Sequence, residues 1–298
     1  MRRVLMDARF KEVLQNFLPE FVVLFFPDIA AQLQWETLQF LDKETIAELG
    51  ADTTQTSDIV ASVQTSGGEA FTLVLLIEIQ AKRSHKFPKR VFDYYYALGR
   101  RYNHSVLPLV LYLSPGAGGV TQESYRQEVL GIEFLHFRYL VVGLPDLPAE
   151  DWQKRSPLAA ALSCKMKPIA EGRAQQKFSA LLQIARSGYG DYRKLLLADL
   201  LERFLPLADQ EEAAYNQLRT RVQSQEVEQM ISIYEERGIE KGRVEGIRAM
   251  LLRLGTRKFG EPSKSILARL AAIRETPRLE ALTERIFDAQ SWDGLLSE

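Results

Sequence analysis

The chain has one cysteine, three histidines and almost no net charge, and each scarcity removes a class of protein. Cys164 alone cannot close an intramolecular disulfide and excludes a thiolate zinc cluster. His85, His104 and His136 stand too far apart for a zinc-binding HExxH helix. With 38 Lys and Arg against 39 Asp and Glu, the net charge is −1. Any contact with nucleic acid must therefore come from a local patch rather than from the whole surface. No apolar run approaches the roughly 18 residues of a membrane span, and residues 21–26 (FVVLFF) read as buried core. The opening MRRVLMDARF makes a poor signal peptide, because Asp7 and Arg9 interrupt its apolar stretch. The expected setting is reducing and cytoplasmic, with no membrane partner. What remains is ordinary globular material: 298 residues, 46% hydrophobic and 26% charged, enough for about two domains.

Periodicity divides the chain into a mixed first half and a helical second half. Apolar residues at Phe10, Val13, Leu14, Phe17, Leu18, Phe21, Val22 and Phe25 predict helix over 7–33, with a break at Pro19. Residues 36–43 fit a first strand. Residues 57–64 alternate, Ser66-Gly67-Gly68 signals a turn, and 70–80 is apolar on both faces, so the two segments predict a hairpin with a central strand. Pro88 opens a helix running to about Tyr102. Strands follow at 105–113 and 132–142, with a loop at 115–119 between them. After Pro157 the pattern predicts helices near 158–187, 191–205 and 209–254, with a C-terminal helical group at 262–296. Gly238, Gly242 and Gly246 recur every four residues on one helical stripe, either in a frayed helix or as a close contact between copies.

The first chemical signal is a pair of acids. Asp58 opens one strand of the hairpin, and Glu78 lies near the end of the other. Glu78, Gln80 and Lys82 share one face if the strand runs on. Two carboxylates on neighbouring strands, with a polar or cationic group beside them, suit a divalent cation such as Mg²⁺. This spacing is permissive by itself, since a solvated strand start and strand end would satisfy it. The segment that follows adds to it. Residues 82–104 hold Lys82, Arg83, Lys86, Lys89, Arg90, Arg100 and Arg101 against the single acid Asp93, interleaved with Tyr94, Tyr95, Tyr96 and Tyr102. Basic residues of this kind suit a phosphate backbone.

These segments also carry a family resemblance. DARFKEVLQNFLPEFVVLFFPD near the start, LDKE at 42, SDIV at 57, LIEIQ at 76 and FPKRVFDYYYAL at 87 resemble the recombination-promoting nuclease/putative transposase branch of the PD-(D/E)XK nuclease superfamily. The last segment is similar to that branch's R-x-x-x-Y helix, here Arg90 and Tyr94. Residues from about 235 to 298 look like a small C-terminal domain of unknown function often attached to this branch. The resemblance implies that Asp58 and Glu78 are the metal-binding acids and that Glu20 matches a helix-borne acid some members add. Gln80 stands where most of the superfamily has lysine, as is common in this branch, and Lys82 is the nearest substitute. Thr54-Gln55-Thr56 lacks the basic residue expected before Asp58.

The resulting expectation is an α/β fold: a restriction-endonuclease-like mixed sheet of about five strands flanked by helices, followed by a helical C-terminal half. The expected domains are 1–165 (nuclease-like), 166–235 (helical extension) and 236–298 (small helical domain). The leading function is Mg²⁺- or Mn²⁺-dependent hydrolysis of DNA. In it Asp58, Glu78, Gln80 and Lys82 act at the reacting centre, Asp58, Glu78 and Glu20 hold metal, and Lys86, Lys89, Arg90 and Tyr94 contact the nucleic acid. A catalytically impaired DNA- or protein-binding module that forms homo-oligomers through its C-terminal helices stays open beside it. So does a helical oligomerisation protein whose N-terminal domain is only a scaffold.

Overall fold

The computed structural model describes residues 2–41, 57–67, 70–78, 86–222, 228, 244, 246–273, 275–286 and 288–297, with the backbone alone at 2–8, 57–58 and 70–78. The chain forms two compact units, Met1–Val227 and Glu228–Glu298. Among the described residues no helix is long and apolar enough to cross a membrane.

The first unit opens with α1 (Arg2–Asn16), α2 (Leu18–Phe25) and α3 (Pro27–Ala30). The expected break comes at Phe17, and Pro19 falls in the first turn of α2, where a missing N–H costs no helical hydrogen bond. Phe10, Val13, Leu14, Phe17, Leu18 and Phe21 are fully buried, as their three- and four-residue spacing predicts.

Among the described residues a six-stranded sheet follows, built from β1 (Leu33–Phe40), β2 (Ser57–Thr65), β3 (Ala70–Glu78), β4 (Ser105–Tyr112), β5 (Val120–Val129) and β6 (Ile132–Gly143). The strand order is β1-β2-β3-β4-β6-β5. β1, β2 and β3 form an antiparallel meander, and β3, β4 and β6 run parallel. β5 pairs antiparallel with β6 at the edge. Helix α4 (Phe87–Tyr102) lies between β3 and β4 in the chain, as a parallel pair requires. The hairpin joining β5 to β6 turns through Leu130 and Gly131, whose φ values of 53° and 78° give the left-handed pair that a two-residue turn needs.

Both faces of β2, β4 and β6 carry buried residues. On one face Val60, Val110, Tyr112, Phe137, Tyr139 and Val141 form a cluster with Phe87, Val91, Tyr94 and Leu98 of α4. Residues of opposite parity, including Ile59, Ala61, Val63, Leu109, Leu111 and Val142, are buried as well. This double burial is why β4 reads as a nearly unbroken apolar run.

The chain is thus α/β with a mixed sheet, and it differs from expectation in two respects. β5 is an additional strand, and the helices after residue 165 belong to the first unit. After β6 and the short α5 (Ala149–Trp152) and α6 (Pro157–Leu162), these are α7 (Arg173–Ala185), α8 (Asp191–Phe204) and α9 (Asp209–Val222). The helix expected over 158–187 stops at Leu162, and α7 starts only after Gly172, whose φ of 92° no helix tolerates. α8 packs back on α1: the Phe10 and Phe204 rings lie 5.0 Å apart, and Arg9 ion-pairs with Asp199 at 2.9 Å. Buried apolar side chains such as Phe178, Ile184, Leu197 and Leu201 make 166–222 part of this core rather than an extension.

The second unit comprises helical residues 246–259, then α10 (Lys264–Ala272), α11 (Thr276–Arg285) and α12 (Trp292–Leu296). Leu251, Leu270, Leu279 and Leu295 are fully buried at its centre. Trp292 closes one side, its Nε1–H donating to the Gly260 carbonyl at 2.9 Å. Gly238 and Gly242 lie outside the described residues, and a methyl group at Gly246 would meet nothing within 4 Å.

Candidate functional site

The pairing of β2 with β3 fixes where the two acids stand. Asp58 is the partner of Leu76, and Glu78 lies two residues further along β3. Directly opposed residues share a face, as do residues two apart on one strand, so Asp58 and Glu78 belong to the same face. They occupy diagonal positions, for which the typical separation is roughly 7–8 Å. The parity also identifies that face: Val60, two residues after Asp58, belongs to the cluster under α4. Both acids therefore sit on the α4 side, at the end of β3 that pairs with the end of β4. Only their backbone is described. Gln80 and Lys82 lie outside the described residues.

The first turn of α4 covers this same end of the sheet. Glu78 is in register with Tyr112 of β4, and the Tyr112 ring lies 5.7 Å from that of Phe87. The guanidinium of Arg90 in turn sits 4.7 Å above the Phe87 ring. Arg90 is half-buried, whereas Lys86 and Lys89 are exposed. Lys89 donates to both carboxylate oxygens of Asp93, at 2.8 and 3.0 Å. That hydrogen bond and the Asp93 charge raise its pKa above the ordinary lysine value. Tyr94 is a correction: at 1% exposure it is a core residue, beyond the reach of a phosphate backbone.

Glu20 does not stand as a free acid either. Its carboxylate accepts from Arg193 of α8 at 2.5 Å, and the same guanidinium stacks over Phe17 at 3.9 Å. The expected metal-binding acid instead fastens α2 to α8. Among the described residues no group of three or more His, Cys, Asp or Glu could hold a metal ion.

Sequence reasoning did not identify Glu123, a neighbour on the same face. It is the partner of Tyr139 on β6, whose hydroxyl donates to its Oε2 at 2.8 Å; the Tyr112 hydroxyl lies 3.3 Å from the same oxygen. A half-buried carboxylate is thus joined to the tyrosine that neighbours Glu78. Its strand, VTQESYRQEV, lacks apolar alternation, so neither the strand nor the acid stood out. Beyond β4, Asp146 holds the 116–118 loop through three backbone N–H donors. Comparisons with family models, with curated proteins and with solved structures gave no match to this chain.

Proposed function

We propose that the chain is a divalent-metal-dependent endonuclease that hydrolyses DNA phosphodiester bonds. One observation carries the reading: Asp58 and Glu78 share a face at one end of the β2–β3 pair, and the first turn of a basic helix covers that end. Two carboxylates in diagonal register fit a hard cation that takes oxygen ligands, so Asp58 and Glu78 are the residues that would hold Mg²⁺ or Mn²⁺. Such a cation supplies positive charge against the phosphate. Arg90 and Lys86 position the nucleic-acid backbone, and Gln80, being neutral, orients a water or a phosphate oxygen. The resemblance to recombination-promoting nucleases points the same way.

The deciding experiment is nicking of supercoiled plasmid with Mg²⁺ or Mn²⁺. Wild type should nick, while Asp58→Ala and Glu78→Ala should not. Arg90→Ala should weaken DNA binding regardless of sequence and flatten its salt dependence. A second reading is a nuclease-derived module that binds DNA or a protein without cutting, and Gln80 at the lysine position favours it. Under that reading wild type never nicks, and Gln80→Lys gains activity.

A further inference from the structure

Three consecutive tyrosines in α4 have three different environments, because successive helical residues are 100° apart. Tyr94 continues the stripe of Phe87, Val91 and Leu98 into the core. Tyr95 lies at the margin, 37% exposed, its ring 4.8 Å from Phe137. Tyr96 is 58% exposed, with no ring packed on it among the described residues.

An isolated exposed tyrosine needs no explanation, but the company of Tyr96 is specific. Lys89, Asp93, Tyr96 and Arg100 follow one another at helical spacings of four, three and four. They form one outward stripe on which all four are exposed. Over 86–104 there are five basic residues against one acid, in a chain whose net charge is −1. The stripe therefore presents the Lys89–Asp93 ion pair, a planar ring and then the cation Arg100 in line, with the exposed Lys86 one turn before. Cations meet phosphates of any nucleic acid, whereas a planar ring meets the face of a base, and a duplex hides that face in its stack. At 1.5 Å per residue, Tyr96 lies about 13 Å along the helix from Phe87. Phe87 packs on Tyr112, the register partner of Glu78.

We propose that Tyr96, between Lys89 and Arg100, is a stacking platform for an unpaired base, so that the DNA taken by the site carries a single-stranded segment. This inference rests on the nuclease reading. A strand leaving the acidic end of the sheet along α4 reaches Tyr96 after about four nucleotides, at roughly 3.4 Å per stacked nucleotide.

The test is fluorescence anisotropy on the full chain in EDTA, with labelled oligothymidylate and a blunt duplex of equal length. Tyr96→Ala should weaken oligothymidylate binding by about 5- to 150-fold, the range expected of one base–aromatic stack, and change duplex binding by less than about two-fold. Tyr96→Phe should bind as wild type, and Tyr96→Leu as the alanine variant. Because Tyr96 is exposed, all three should melt with wild type. Unchanged oligothymidylate binding by Tyr96→Ala, or an equal loss on both probes, overturns the platform. If wild type nevertheless nicks plasmid, the nuclease reading survives. A wild type that binds neither probe overturns the platform, and one that also fails to nick plasmid with Mg²⁺ or Mn²⁺ overturns both.

Discussion

Replacing Asp146 tests how the sheet end that carries Glu78 is held. The chain leaving β4 turns through Gly116, Gly118 and Gly119, with φ values of 102°, 77° and 86°, conformations that favour glycine. The N–H groups of Gly116, Ala117 and Gly118 converge on Asp146 Oδ2 at 3.0, 2.6 and 2.8 Å. Consecutive N–H groups around one concavity form an anion site, and the protein fills it with its own carboxylate. The Gly116 and Gly118 donors are solvent-exposed, so water replaces the lost acceptor there, whereas the Ala117 donor is partly buried. One charged hydrogen bond to a shielded donor contributes about 1.5–3 kcal/mol, so Asp146→Ala should cost about 2–3 kcal/mol. Asp146→Asn should cost about 1 kcal/mol, since its carbonyl oxygen can take the Oδ2 position without the charge. Burial pushes the Asp146 carboxyl up, but the three donors together with the Lys167 charge offset this and hold it below the ordinary value. A depressed folded-state pKa means that the stabilisation is complete above the unfolded pKa, near ~3.9, and is lost as pH falls through the folded value. Urea unfolding of wild type and Asp146→Asn should thus differ by a constant amount from about pH 5 to 8 and converge below about pH 4. An Asp146→Ala variant within about 0.5 kcal/mol of wild type near neutrality, or a gap that widens in acid, would refute the argument.

Three further outcomes are expected. A methyl group at Gly255 would come within 2.1 Å of the Trp292 ring, so Gly255→Ala should destabilise the second unit by about 1–3 kcal/mol in thermal unfolding, and adding Trp292→Phe should recover part of the loss. Burial raises the Cys164 thiol pKa to about 12, the nearby Lys165 charge opposing it, so the native protein at mildly alkaline pH should resist thiol-directed labelling until it is unfolded. In plasmid nicking, Gln80→Ala should lower the rate by about 10²-fold, with Lys82→Ala behaving as the loss of one surface charge; equal losses would make Lys82 the charge donor.

Several features were legible because their cause is local. The β2–β3 hairpin follows from alternation, a Ser-Gly-Gly turn and an apolar partner strand, and the start of α4 follows from Pro88. Asp58 and Glu78 were identifiable as a pair because a hairpin converts sequence spacing into register. The burial of Tyr94 was also written locally, in its spacing from Phe87, Val91 and Leu98; the resemblance to an R-x-x-x-Y helix pointed to a nucleic-acid contact instead. Other features depend on partners far away in the chain. The face carrying the two acids is the α4 face only because Val60 and Tyr112 pack there together. Glu20 is an ion-pair partner only because α8 brings Arg193 to it from 173 residues away. β5 forms without an apolar pattern because β6 supplies its ladder and one of its faces is solvent. The helices of 166–222 join the first unit because their apolar stripes find α1 and α6, a choice that helical periodicity leaves open. Periodicity determines which residues need burial; only the tertiary structure decides what buries them, because many partners satisfy the same apolar stripe.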